Sequence, residues 1–293
     1  MLKGEIAALG TALCWAFTGL FFAEAARRVG AMAVNLIRLP LALVLLSGAL
    51  LATGTSIGEL DAPRTALLAA SGLVGLTIGD LALFSALVTV GPRLVSLLMA
   101  LAPVFATWAG LLLLGERPGA LALTGMAVTL GGVGWVVLER RGDQPHAQGM
   151  PRAIALAVLA AACQGLGLVL AKMGMDGEVP PLAATWVRMG VATGGIWILA
   201  LGAGRLKELS IRTAVHRAAW PVTGGAVSGP FIGVWLSLVA ARFTDVGVAA
   251  TLMATTPVLI IPLVMAVEGY RPTWRAVLGT LITVAGVALL FSR

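Results

Sequence analysis

Ten apolar runs, each about as long as a bilayer is thick, follow one another along the chain with only short breaks between them. They fall at 5–26, 31–53, 65–90, 93–114, 119–138, 152–173, 181–203, 218–240, 245–267 and 273–292. A helix needs about 20 residues to cross the hydrocarbon core, whereas barrel strands alternate apolar and polar residues over about ten. Continuous runs of this length therefore select helices. The breaks carry loop punctuation such as Gly115-Glu116-Arg117-Pro118, Glu139-Arg140-Arg141-Gly142-Asp143 and Gly269-Tyr270-Arg271-Pro272. None is long enough to fold by itself, so the expected fold class is an all-α membrane protein of ten transmembrane helices.

Charge supports this reading. Only 11% of the 293 residues are charged, against about 25% in an average soluble domain. The net charge of +7 arises from Lys and Arg placed almost wholly in the breaks, which points to anchoring at the membrane edge and away from a nucleic-acid partner. Cys14 and Cys163 both lie inside apolar runs, giving neither a disulfide framework nor a metal site. No zinc-protease, nucleophile-elbow or phosphate-loop motif is present, and His146 and His216 lie outside the spans. The expectation is a protein without enzymatic activity, metal or cofactor, and without an ATP-driven step on this chain. The first run, with Ala23-Glu24-Ala25 behind it, has the look of a secretory signal. An internal repeat argues that it is retained.

That repeat appears at an offset of 154 residues: Met99-Ala100-Leu101-Ala102-Pro103-Val104 returns as Met253-Ala254-Thr255-Thr256-Pro257-Val258, and Gly115 to Pro118 as Gly269 to Pro272. Gly75, Gly79, Gly125 and Gly132 map onto Gly229, Gly233, Gly279 and Gly286 in the same register. Nearer the N-terminus the offset is 149 to 150, pairing Cys14 with Cys163 and Arg38 with Arg188. The chain reads as two five-helix units, residues 1–142 and 150–293. Because five is odd, the second unit enters the membrane from the opposite side, giving two inverted repeats of the kind used in alternating access. The small-residue stripes Ser71/Gly75/Gly79 and Gly225/Gly229/Gly233 predict close helix packing.

The run from Leu81 through Pro103-Val104 and Gly115-Glu116-Arg117-Pro118 to Gly131-Gly132-Val133 resembles the second half of an EamA-type repeat of the drug/metabolite transporter superfamily. Leu238 to Leu290 resembles the same pattern, except that the motif's Glu is displaced to Glu268. The resemblance implies a ten-helix carrier that exports or exchanges small organic metabolites, with a central cavity lined mainly by the first four helices of each half. Amino-acid exporters, including YddG-like exporters of aromatic amino acids, are similar in length. Sugar-phosphate and nucleotide-sugar exchangers are the neighbouring alternative, and a non-transporting membrane scaffold is a third. The expected localisation is the plasma (inner) membrane, with the lipid bilayer and a small-molecule substrate as partners and the oligomeric state open.

Polar groups inside spans each need an account, because an ionisable group at bilayer depth costs at least about 2.5–3.5 kcal/mol. Asp80 lies mid-way along the third span, and its repeat mate is Val234. It reads either as a protonatable site or partner for a substrate ammonium, or as a buried acid paired with Arg38. Arg38 and Arg188 sit about seven residues into their spans, a rise of about 10 Å, where a guanidinium can snorkel or grip a carboxylate or phosphate. Asn35, one turn before Arg38, and Gln164 are further candidates. Trp15 with Thr18 and Phe22, Trp186, and Trp235 with Ser228 offer aromatic faces for a substrate or simply pack. Pro103 and Pro257 interrupt helices at one repeat position and read as gating hinges or static kinks.

Orientation stays open at this stage. The face with the termini carries six Lys and Arg, and the opposite face twelve, the remaining two of the twenty being Arg38 and Arg188. The positive-inside rule then puts the termini outside the cell, whereas the family resemblance puts them in the cytosol.

Overall fold

A computed structural model of the chain describes residues 2–29, 31–57, 60–139, 149–176, 178–202, 211–268 and 273–292. The connection that holds Gly142 and His146, and the motif Gly269-Tyr270-Arg271-Pro272, lie outside the described residues. Ten helices long and apolar enough to cross a membrane are present: Leu2–Phe22, Ala33–Thr53, Ala62–Leu87, Leu94–Leu114 and Ala120–Leu138, then Met150–Met175, Pro181–Gly202, Arg217–Phe243, Val246–Leu263 and Trp274–Phe291. They are numbered here as spans 1 to 10 and match the ten apolar runs one for one. Among the described residues there is no strand.

Small residues decide which spans meet, and nearly always the neighbour belongs to the other half. A Cβ added at Gly229 would come within 2.7 Å of Thr18, and one at Gly233 within 3.0 Å of the Trp15 ring. The stripe of span 8 thus receives side chains of span 1. Its counterpart in span 3 receives span 6: Gly79 lies against Cys163, Gly75 against Gly167, and Ser71 Oγ donates to the Gly167 carbonyl. Spans 5 and 10 close on one another through Gly125 and Gly132 against Gly286 and Thr283. Close backbone approach gains dispersion contact that lipid cannot match, which is what drives helix association where water is absent.

Spans 2 and 7 share one apolar layer, with Leu36, Leu39 and Leu46 clustered with Leu182, Met189 and Ile196. Two indoles tie them. Trp186 donates to Ser47 Oγ at 2.9 Å, and Trp197 to the Leu36 carbonyl at 3.2 Å. The second bond has a local cause: Pro40 has no N–H, so the carbonyl four residues earlier is left without its helical donor.

Pro103 and Pro257 act in the same sense at the helix breaks. The proline ring clashes with the carbonyl four residues before it, and the helices end at Met99 and Met253, each four residues before a proline. The next helices start at Ala102 and Thr256, which puts both prolines in a first turn, where a missing N–H costs nothing. Each proline therefore marks the start of a new helix just past the interruption. Widened π-helical stretches at Gly72–Ile78 and Val227–Gly233 occupy matching places in the two halves, a feature the apolar pattern did not announce.

Candidate functional site

The buried charges meet where span 3 faces spans 2, 6 and 7. Arg38 donates through Nη2 to Asp80 Oδ2 in a short ion pair, and through Nε to Asn35 Oδ1 at 2.8 Å. Its guanidinium carbon lies 5.5 Å from the Phe22 ring centroid and 5.3 Å from that of Phe84. A charge so held has both a counter-ion and π faces, which offset its removal from water. The second oxygen, Asp80 Oδ1, faces Gln164 Nε2 at 3.5 Å, the long limit of a hydrogen bond. Its lone pairs are the less committed ones.

Arg188 differs. Its backbone is seated on span 3, where a Cβ at Gly72 would come within 2.5 Å of the Arg188 carbonyl oxygen. The side chain runs along span 3 to Gly75 and lies close enough to Asp80 for the two charges to attract. It is 4% exposed, yet Nε and Nη1 have no hydrogen-bond partner among the described residues. The repeat explains the difference. Arg38 has Asp80, and the residue at the equivalent place in the second half is Val234, which cannot accept a hydrogen bond. Two arginines that match in sequence are thus a satisfied cation and an unsatisfied one.

The remaining candidates are placed as follows. Thr18 hydrogen-bonds Ser228 Oγ at 2.9 Å and also donates to the Cys14 carbonyl at 2.7 Å, so Thr18 and Ser228 join spans 1 and 8 directly. Trp15 lies over Gly233 in that interface. Trp186 is half-buried with its N–H on Ser47, and Trp235 is half-buried against the layer between spans 2 and 7. The structure brings Asn35, Arg38, Asp80 and Gln164 into one network with Arg188 beside it. It places Trp15, Thr18 and Ser228 together at the span 1/8 interface.

A family model for the EamA-like transporter family matches residues 2–138 and again residues 151–292. The chain belongs to the EamA-like transporter family. A solved crystal structure superposes on it with a TM-score of 0.82, covering 99% of this chain and 96% of its own, at 21% sequence identity, a likeness of fold alone. No curated protein matches. This EamA chain is therefore a multi-pass membrane protein of a family that transports small molecules.

The EamA motif residues have a structural task of their own. Gly115, at φ +67°, ends a helix in the left-handed region that glycine enters without strain and turns Glu116 back toward the other half. Glu116 Oε2 accepts from the Val246 N–H at 2.8 Å, at the start of span 9, and Oε1 pairs with Lys172 Nζ at 2.6 Å. Lys172 also donates to the Thr244 carbonyl at 2.8 Å. Nearby Arg64 pairs with Glu178, and Arg242 donates to the Val179 carbonyl at 3.1 Å. All of these groups lie on the face of the membrane that carries the termini. The sequence shows Glu116 as part of a loop motif and singles out neither Lys172 nor Trp197. For Trp197 the available signal was Pro40, whose missing N–H leaves a buried carbonyl in need of a donor.

Proposed function

We propose that this EamA-family protein is a secondary carrier of amino acids, aromatic ones included, in the plasma (inner) membrane. It exports or exchanges them by alternating access around a site between its halves, in the manner of the YddG-like exporters its sequence resembles. One observation carries the reading: opposite charges from the two halves, Asp80 on span 3 and Arg188 on span 7, are both buried within the spans and close enough to attract one another. Each keeps hydrogen-bonding capacity to spare among the described residues: Asp80 Oδ1 accepts only the long bond from Gln164, and Arg188 Nε and Nη1 have no partner.

A zwitterion carries the matching pair, an ammonium for the carboxylate oxygen and a carboxylate for the guanidinium. The aromatic faces of Trp15, Phe22, Trp186 and Trp235 on the surrounding spans suit an apolar side chain. Arg38, committed to Asp80, Asn35 and two phenyl rings, adds no free cation. A doubly charged phosphate ester would therefore meet one guanidinium only. The breaks ahead of Pro103 and Pro257 supply bends at one repeat position in each half, where the halves can rock.

Counterflow into proteoliposomes preloaded with pooled amino acids tests this. Radiolabelled aromatic amino acids are expected to enter saturably and only when the preload is present. No flux for any amino acid would overturn the substrate class and leave sugar phosphates, then a scaffold role, to be tried.

A further inference from the structure

The two arginines do not share the work of binding. The Arg38 guanidinium is neutralised by Asp80, held by Asn35 and enclosed by Phe22 and Phe84. Arg188, 4% exposed, has Nε and Nη1 unpartnered among the described residues. The described part of the network thus holds two guanidinium charges and one carboxylate. A zwitterion leaves this excess of positive charge unchanged, an amine enlarges it, and a monoanion removes it. Charge burial in a low-dielectric interior favours the ligand that brings the total to zero.

We infer that Arg188 is the anchor for a substrate carboxylate and that the carboxylate, not the ammonium, is the obligatory recognition group. The protein therefore also carries organic monocarboxylates that lack an amino group. This deepens the amino-acid reading and rests on it for the site's location between the halves. Two further features fit one planar oxoanion. A guanidinium binds a carboxylate bidentately on either of two edges, Nε with Nη2 or Nη1 with Nη2, and each edge of Arg188 includes one of the two unpartnered nitrogens. Gly75, where a Cβ would stand 3.4 Å from Arg188 Nη2, sets no side chain of its own against that nitrogen. The ammonium has a weaker claim, since Asp80 already answers Arg38.

Three probes that share a phenyl group separate the charges: 3-phenylpropionate, phenylalanine and phenethylamine. Binding is read as ligand protection against heat in detergent, and transport as counterflow in proteoliposomes. The wild type is expected to bind and exchange 3-phenylpropionate and phenylalanine with affinities within about tenfold of one another, and to ignore phenethylamine. Arg188→Gln is expected to weaken both carboxylates on the order of a hundredfold. Arg188→Lys, which keeps the charge and loses the fork, is expected to weaken them about tenfold, and it decides the matter if the Gln variant does not fold.

Phenethylamine binding as well as 3-phenylpropionate, or unchanged carboxylate affinity in the Arg188 variants, would overturn the inference. Phenylalanine carried without 3-phenylpropionate would overturn it too, while leaving the amino-acid reading in place. The reverse result, 3-phenylpropionate carried without phenylalanine, would sink the amino-acid reading and uphold the anchor. Failure of both carboxylates to bind would remove both.

Discussion

Asp80→Asn leaves the Arg38 guanidinium buried without its counter-charge, and the protein is expected to lose about 3–5 kcal/mol of stability. Adding Arg38→Met to that variant removes the stranded charge, so the double variant should regain most of the loss in thermal unfolding. A double variant no more stable than the single one would show that the pair is not the main interaction of either group. At this scale the sequence was informative about which residues matter and silent about how they divide. Asn35 and Arg38 lie one turn apart and so share a face, and the Asn35–Arg38 bond follows from that spacing. Arg38 and Arg188 match in the repeat, yet their surroundings do not, because their partners arrive from span 3. The asymmetry that separates them, Asp80 in one half and Val234 in the other, was visible in the sequence. Its geometric meaning needed the fold.

Helix ends and helix interfaces follow local rules, and there the sequence was more legible. The stripes of Ser71, Gly75 and Gly79, and of Gly225, Gly229 and Gly233, receive a neighbouring span along their length, as small residues in lipid predict. The prolines at 103 and 257 locate two breaks to within a turn. What stayed hidden were the π-helical stretches, whose i→i+5 bonds each enclose one residue more than an α-helical bond does. Equally hidden was the partner of Glu116, since Lys172 lies 56 residues away and touches it only once spans 4 and 6 are side by side. Glu116→Ala removes an N-terminal acceptor from span 9 and leaves Lys172 without its counter-ion. A loss of about 1–3 kcal/mol is expected, read as a lower unfolding temperature in detergent, with Glu116→Asp retaining part of it. An unchanged unfolding temperature in Glu116→Ala would mean that the clasp on the termini face is not a stabilising contact.

At the scale of the whole molecule, the ten spans were fully legible, because their length and continuity answer to one physical fact, the thickness of the hydrocarbon core. The pairing of spans was not, since 1 with 8, 3 with 6 and 5 with 10 depend on which notches face which side chains. This interleaving predicts that neither five-span half is stable alone. Co-expressed as separate chains cut between Arg141 and Gly149, the halves should co-purify as a complex that still performs counterflow. Either half expressed singly should aggregate on extraction. A half that purifies as a monodisperse species by itself would contradict the interleaved packing.

The same interleaving sets a schedule for biosynthesis. Thr18 and Ser228 are 210 residues apart, so at roughly 5–20 residues per second span 1 waits on the order of 10–40 s in the bilayer for its partner. Arg38, the costliest group in the first half, is only 42 residues from Asp80 and waits about 2–8 s. The early arginine is thus relieved by its own half while the ribosome is still working. Arg188 emerges when span 3, which seats it, is already in place, and so it can remain unneutralised without ever having faced lipid alone.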